Sequence, residues 1–406
     1  MELLPTSLGT RPRLAVEIRP EGVVAARAED AQALVSAVSH GIFAEGTLAP
    51  GLKPGNLVAR TAVIGAVKKA LEAVALKERQ VTVVVPDAAV RVLLLDFDAL
   101  PAKVVEALPV VRFRLKKLLP FDADDAMVSY QVMSTSRNLV RVLAVAVPKD
   151  VLHEYEGVIR EAGFEPGAVL PSTLAALAGM TEADTASLVV NAGESAVTTA
   201  IVRGGVLLLH RTVDLAAEGM HDLVEAAAII PVAPVLEVPV ELLALPLVDA
   251  ETSAGEWAMQ EPVTGYGVLD DHHIDQAERL AQTIMAEAAA EIAELERLDH
   301  VAVLPIALTG LEIEEARLTA AAREVTQAVS VAAAYFEDTL ESSPGTILAA
   351  GTMGADVLCR LLREAGFGAD EIRVRETVEA TMLTGGAVTT RVPPGWMAGV
   401  RGALRS

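Results

Sequence analysis

The chain has 406 residues, 52% of them hydrophobic, which is enough to bury large cores and makes more than one domain the default expectation. Acidic residues number 55 against 33 basic, and the net charge of −22 argues against nucleic acid, whose affinity comes largely from Lys and Arg on phosphates. Aromatics are only 3%, so the cores must be Ala, Val and Leu packing, and the lone Cys359 rules out an internal disulfide.

The first residues carry Glu2 and no long apolar run, so they do not read as a secretory signal. Residues 14–18 and 23–27 read as two strands around the turn Arg19-Pro20-Glu21-Gly22. Residues 29–40 read as a helix or irregular segment, followed by a Gly/Pro-rich link over 41–55. Residues 57–76 have Val63, Val67, Leu71 and Val74 on one helical face. A buried strand over 81–85 ends at Pro86-Asp87, and a second spans 90–97. Pro101 opens a helix over 103–119, which Pro109 is expected to kink or split. Its end holds the densest basic group, Arg112, Arg114, Lys116 and Lys117. That group reads as a solvated helix face, or as a patch for an acidic partner or the anionic cytoplasmic leaflet.

Strands over 128–133 and 139–147 flank a polar turn, completing a small α+β subdomain over 81–147. A helix over 149–162 closes at Gly163, a C-cap position, and a strand over 168–170 leads into a helix over 172–180 that Ser172 can cap. The second half opens on 187–213. Here two β-branched runs, 187–190 and 196–202, enclose Asn191-Ala192-Gly193-Glu194-Ser195, and a third run follows Gly204-Gly205. The first turn is small and rich in donors, as a loop must be if backbone N–H groups are to approach phosphate. With the weaker copy at 14–27, it predicts a duplicated fold with a cleft between halves.

The greasiest window, 226–248, is interrupted by Glu237, Glu241 and four prolines, so it fails as a membrane span. The protein accordingly reads as soluble and cytoplasmic. Asp270-Asp271-His272-His273 with Asp275 has a metal-like composition, but adjacent histidines rarely share an ion, and the run precedes a packed amphipathic helix over 276–298 as a charged cap would. Cys359 lies in a helical pattern and reads as a small buried apolar residue. The Pro-rich run 230–248 matches no element of the pattern. No Ser/His/Asp set, Cys/His pair or zinc spacing stands out, so enzyme classes outside nucleotide chemistry have no support.

The run LLPFDADDAMVSYQVM (118–133), followed by VRVLAVAVPKDVLHEYEGVIREAGFEPGAV (140–169), resembles the type IV pilus assembly protein PilM family. REVTQAVSVAAAYFEDTL (323–340) and TILAAGTMGADVLCRLLREAGF (346–367) extend the resemblance over most of the chain outside about 229–276. It implies an α/β, actin-like (duplicated, ribonuclease H-like) fold. The first lobe would take 1–80 and 148–184, with the subdomain 81–147 inserted; the second would take 185–390, leaving a tail at 391–406.

In that fold ATP lies between the lobes, the two turns hold phosphate, and a carboxylate in each positions magnesium. The implied cofactor-facing residues are Glu17, Arg19, Asn191, Gly193, Ser195, Thr198, Gly351 and Gly354. Several depart from the family pattern. Where the family has D-I-G-S-S-x-V-K, this chain has Glu17-Ile18-Arg19-Pro20-Glu21-Gly22-Val23-Val24: glycine becomes Arg19, Pro20 removes an N–H, Glu21 adds negative charge, and Val24 replaces lysine. Asn191 stands where the second turn has an aspartate, and it cannot supply the charge that magnesium prefers. The expectation is a degenerate site, with ATP weak or absent, Mg only alongside ATP, no resident metal and no hydrolysis.

By the same resemblance the partner is the cytoplasmic tail of a PilN-like inner-membrane protein, docked on a surface that includes 81–147 with Arg112, Arg114, Lys116 and Lys117 on its rim. The other readings left open are a working ATP-binding switch of the same family and another actin-fold relative, such as a type II secretion platform component.

Overall fold

The computed structural model describes residues 12–29, 35–180, 185–215, 310–367, 373–378 and 392–405, with side chains in the helix over 310–340 from 320 onward. All of these lie in one compact unit, Met1–Asp222 with Thr309–Ser406. The Pro-rich run, the Asp270–Asp275 cluster and the helix expected over 276–298 fall outside the described residues.

The first sheet opens with β1 (Leu14–Arg19) and β2 (Gly22–Ala28), paired antiparallel so that Arg19 faces Gly22 across a two-residue turn. A side chain at Gly22 would put its Cβ 2.1 Å from the carbonyl oxygen of Gly41, so only glycine fits there. That carbonyl belongs to β3 (Val35–Ile42), which pairs antiparallel with β2. Within the segment expected as helix or irregular over 29–40, residues 35–40 are therefore strand, which runs on through 41–42; residues 43–55 form a loop, as expected of the link. The pairing with β2 outweighs a local pattern with no clear period. After α1 (Arg60–Glu72), which buries Val63, Val67, Ala70 and Leu71, comes β4 (Gln80–Val85). β4 runs parallel between β1 and β8 (Glu165–Pro171), giving the order β3-β2-β1-β4-β8. Residues 81–85, four valines and Thr82, are buried on both faces, as in a central parallel strand.

The second sheet repeats this plan. β9 (Ser187–Ala192), β10 (Ala196–Arg203) and β11 (Val206–Asp214) form the antiparallel part. Gly204 and Gly205 both have positive φ, as a type I′ hairpin turn demands. α5 (Gly310–Leu340) precedes β12 (Thr346–Ala350), and α6 (Gly354–Glu364) links it to β13 (Arg373–Glu376), giving β11-β10-β9-β12-β13. Half-buried Cys359 sits on α6 rather than in the core.

Between β4 and α3 (Lys149–Glu161) lies the inserted subdomain: β5 (Arg91–Phe97), α2 (Val104–Leu115), β6 (Ala126–Ser136) and β7 (Leu139–Pro148), with sheet order β5-β7-β6. The strand at 81–85, expected to start this subdomain, belongs instead to the first large sheet, because its apolar residues pair on both edges there. Pro109 sits inside α2 without dividing it. Gly163 closes α3 with a φ of +88°, as a helix C-cap needs.

α4 (Ser172–Ala178) starts directly after β8. Ser172 is its first residue, not a cap; its hydroxyl points elsewhere, as described below. Residues 391–406, expected as a tail, carry α7 (Pro394–Leu404), a buried helix whose Trp396, Met397, Val400, Ala403 and Leu404 join a core against β1, β2 and α4. Gly395, Gly399 and Gly402 keep one side of α7 bare, so that Gly395 and Gly402 meet other backbone and Gly399 the Glu17 carboxylate closely.

α3 also pins the loop before α1. Buried Tyr155 donates to Asn56 Oδ1 at 3.2 Å, and burial pushes the phenol pKa up. Tyr155→Phe removes that bond and nothing else, so stability should fall by about 1 kcal/mol. Urea denaturation measures the change, and an unchanged midpoint would contradict the assignment.

Candidate functional site

The two strand–turn–strand units put their turns face to face, with Gly193 of the second turn close against Glu21 of the first. Glu17, near the end of β1, is fully buried. Its Oε1 lies 2.6 Å from Arg19 Nη2 and accepts a 2.6 Å bond from the Ser172 hydroxyl. Its Oε2 faces α7, where a Cβ on Gly399 would lie only 2.3 Å away. Burial pushes the Glu17 pKa above the ordinary carboxylate value, against the pull of Arg19 and Ser172.

Asn191, near the end of β9, is also buried, and its amide nitrogen is engaged on the first lobe's side chains. The amide nitrogen donates to Ser172 Oγ at 3.0 Å, to Thr173 Oγ1 at 2.9 Å and to Asp87 Oδ2 at 3.3 Å. Asp87 in turn accepts from the Thr173 hydroxyl and from the Thr173 backbone N–H at 3.1 Å. Ser172, Thr173 and Asp87 thus knit Glu17 of the first sheet to Asn191 of the second.

The loop after β12 is held as closely. Gly351, φ +87°, donates its N–H to Gly395 at 3.1 Å, and a Cβ there would lie 2.4 Å from the Ala192 carbonyl oxygen. At the first turn of α6, Glu376 Oε1 accepts the Ala355 N–H at 2.7 Å. Gly354, φ +73°, is bare toward that same carboxylate, 3.3 Å from where its Cβ would stand. Burial raises the Glu376 pKa, opposed by the Ala355 bond.

Of the remaining expected residues, Gly193 approaches the first lobe's turn, and Ser195 is half-buried in the same loop. Thr198 lies within the β10–β11 hairpin, its hydroxyl paired with that of Thr212 at 3.0 Å. Asp87, Thr173, Thr352 and Glu376 are participants that the sequence reading missed. Asp87 was legible only as a strand terminator and Ser172 only as a helix start. Among the described residues, no group of three or more His, Cys, Asp or Glu is arranged to hold a metal ion.

The basic group on α2 divides in two. Arg112 donates to the Ala123 and Ala126 carbonyls, and Lys116 pairs with Asp124, so both are tied within the subdomain. Arg114 and Lys117 stand exposed. Beside them, Val105, Pro109, Val110 and Phe113 lie on the outer face of the helix, and Phe113, in its last turn, is 68% exposed. No helix among the described residues is long and apolar enough to cross a membrane.

Two five-stranded sheets of matching order, their hairpin turns facing one another and a small subdomain inserted in the first, make this the actin-like ATPase fold. Within that fold the chain is similar to PilM: a solved structure described as the PilM–PilN type IV pilus biogenesis complex matches at a TM-score of 0.60 and 15% identity, covering 98% of each chain. Also similar is the ethanolamine utilization protein EutJ from Carboxydothermus hydrogenoformans, with 10% identity, TM-score 0.38, and coverage of 99% of this chain and 90% of that one. The cytoplasmic domain of EpsL, an inner-membrane component of the Vibrio cholerae type II secretion system, has 15% identity, TM-score 0.34, and coverage of 50% and 71% respectively. No family model matches the chain, and no curated protein does.

Proposed function

We propose that the chain is an adaptor of a type IV pilus assembly machine, held at the inner membrane through its partners, with a degenerate nucleotide cleft. The observation that carries this is the state of Glu17. A carboxylate that positions magnesium must meet the ion's water shell. Glu17 instead lies sealed under Gly399 and bonded to Ser172 and Arg19. Asn191, opposite, brings no charge and has its amide nitrogen committed to side chains. Both positions serve as interlobe framework, and this supports loss of nucleotide chemistry with retention of architecture.

The docking surface in this reading is the outer face of α2. A largely exposed Phe113 among Val105, Pro109 and Val110 is the kind of apolar patch that marks protein contacts. Arg114 and Lys117 beside it favour a partner with an acidic flank. Arg112 and Lys116, expected on the rim, act mainly as struts for the turn before β6. The occupant is the cytoplasmic tail of a PilN-like membrane protein, anchored by an apolar side chain.

A labelled peptide copied from the cytoplasmic tail of a PilN-like protein of the same organism should bind the wild-type protein in the micromolar range. Phe113→Asp should weaken it at least tenfold, as loss of a central anchor does, whereas Arg114→Glu should act mainly through the association rate and salt dependence. No binding at millimolar peptide, or equal affinity for Phe113→Asp, would overturn the assignment of this face.

A further inference from the structure

One carboxylate in the cleft has no role in the framework just described. Glu21 stands at the tip of the β1–β2 turn, half-buried, on the first lobe. Its Oε1 reaches the second lobe, where it accepts the Glu194 backbone N–H at 2.7 Å and the Thr352 hydroxyl at 2.6 Å. Gly193 must stay bare for this approach, since a Cβ there would lie 2.6 Å from the same oxygen. The β1–β2 turn is itself fixed by the Phe43 N–H, which donates to the Glu21 carbonyl at 3.0 Å.

An anionic oxygen held by a turn N–H and a hydroxyl, beside a glycine whose missing side chain makes the room, is the chemistry by which a small turn receives a phosphate oxygen. Here the anion is supplied by the chain. We propose that Glu21 is the resident anion of a subsite built from Glu194 N–H, Thr352 Oγ1 and Gly193, occupying it in place of a phosphate group and latching the two lobes together. This rests on reading the cleft as a degenerate nucleotide site and adds the agent that keeps it shut.

The consequence is competition within the molecule. A phosphate ligand gains those donors only in the fraction of molecules whose carboxylate has swung away, and its apparent affinity falls by that fraction. If the latch is closed 90–99% of the time, removing it tightens phosphate binding by about 10- to 100-fold. Simple charge repulsion predicts a smaller, strongly salt-dependent gain, and one that removal of the neighbouring Glu194 charge would reproduce.

The test titrates Mg-ATP, and separately pyrophosphate, into the full chain as wild type, Glu21→Ala, Glu21→Gln and Glu194→Gln. Glu21→Ala should bind at least tenfold more tightly than wild type, with Glu21→Gln between them because its amide oxygen still accepts both bonds. Glu194→Gln should gain less than Glu21→Ala, since it leaves both the Glu21 carboxylate and its backbone donor in place. Hydrogen exchange at the Glu194 amide should quicken in Glu21→Ala and be slowed again by the bound phosphate. Equal affinity of wild type and Glu21→Ala, whether both bind or neither does, would overturn the proposal. So would an equal gain in Glu194→Gln. Should the alanine variant fold poorly, Glu21→Ser, whose side chain is too short to reach either donor, decides the matter by the same criterion. Tail-peptide binding is read on the same samples. Its absence from every chain would remove the adaptor reading, while the Mg-ATP arm would still judge the latch.

Discussion

Gly402→Ala is expected to lower stability by about 2 kcal/mol, although alanine is the better helix former. A Cβ at Gly402 would lie 1.7 Å from the Ala175 carbonyl oxygen and 2.7 Å from the Gly179 nitrogen. Both neighbours are backbone, of α4 and of the residue that caps it, so no side chain can swing aside. Overpacking of this kind costs about 1–3 kcal/mol and occasionally more, against a propensity gain of at most about 1 kcal/mol. Gly65→Ala supplies the opposite case. Gly65 lies within α1 with nothing within 4 Å of where its Cβ would stand, so propensity alone should stabilise that variant by about 0.5–1 kcal/mol. Thermal or urea unfolding of the two variants should therefore move in opposite directions. A stabilised Gly402→Ala would mean that α7 is not seated on α4 as described.

The second large effect is that of Arg19→Met. Glu17 and Arg19 are both buried, and their pairing offsets a desolvation that each would otherwise bear alone. Removing one partner of a buried pair typically costs about 3–5 kcal/mol. The pH dependence has a definite sign. Burial already holds the Glu17 carboxyl above its unfolded value, and loss of Arg19, which pulls it down, raises it further. A carboxyl with a raised folded pKa takes up its proton on folding, so acid favours the folded state. The deficit of Arg19→Met relative to wild type should be full at about pH 8 and shrink as the solution is taken to about pH 5. Adding Glu17→Gln to the same chain should recover most of the loss at neutral pH, since no buried charge then lacks a partner. Urea midpoints across that range check both points. A deficit constant with pH would show that Glu17 does not carry the charge.

The scaffold was legible because each of its main pieces is local. Two β-rich runs around a short turn announced each lobe, and their repetition announced the duplication. The buried strand over 80–85 and the helix that buries Val63, Val67 and Leu71 followed from apolar spacing alone. Other pieces were not legible: β3 has no clear period and owes its form to β2, the strand over 80–85 finds its sheet only through its neighbours on both edges, and nothing in the spacing of 391–406 marks the glycines of α7 as a packing surface.

The cleft was legible only in part. Glu17, Arg19 and Asn191 could be located by resemblance, but their partners could not, because the contacts that define them join residues distant in sequence. Ser172 meets Glu17 across 155 positions, and Thr352 meets Glu21 across 331. Glu21 itself could be read as an added negative charge. That the charge would face an N–H and a hydroxyl of the other lobe depends on how the lobes close, and no spacing along the chain encodes that.

We propose that this protein docks a membrane-protein tail through the outer face of α2 without using nucleotide. The most direct measurement is the anisotropy of the labelled tail peptide, titrated with wild-type protein in the absence and presence of saturating Mg-ATP. Two sites that are not linked give a coupling of one, so the two curves should coincide. A peptide affinity that changes tenfold or more with Mg-ATP, or appears only in its presence, would mean that the cleft is a working switch and would contradict the account.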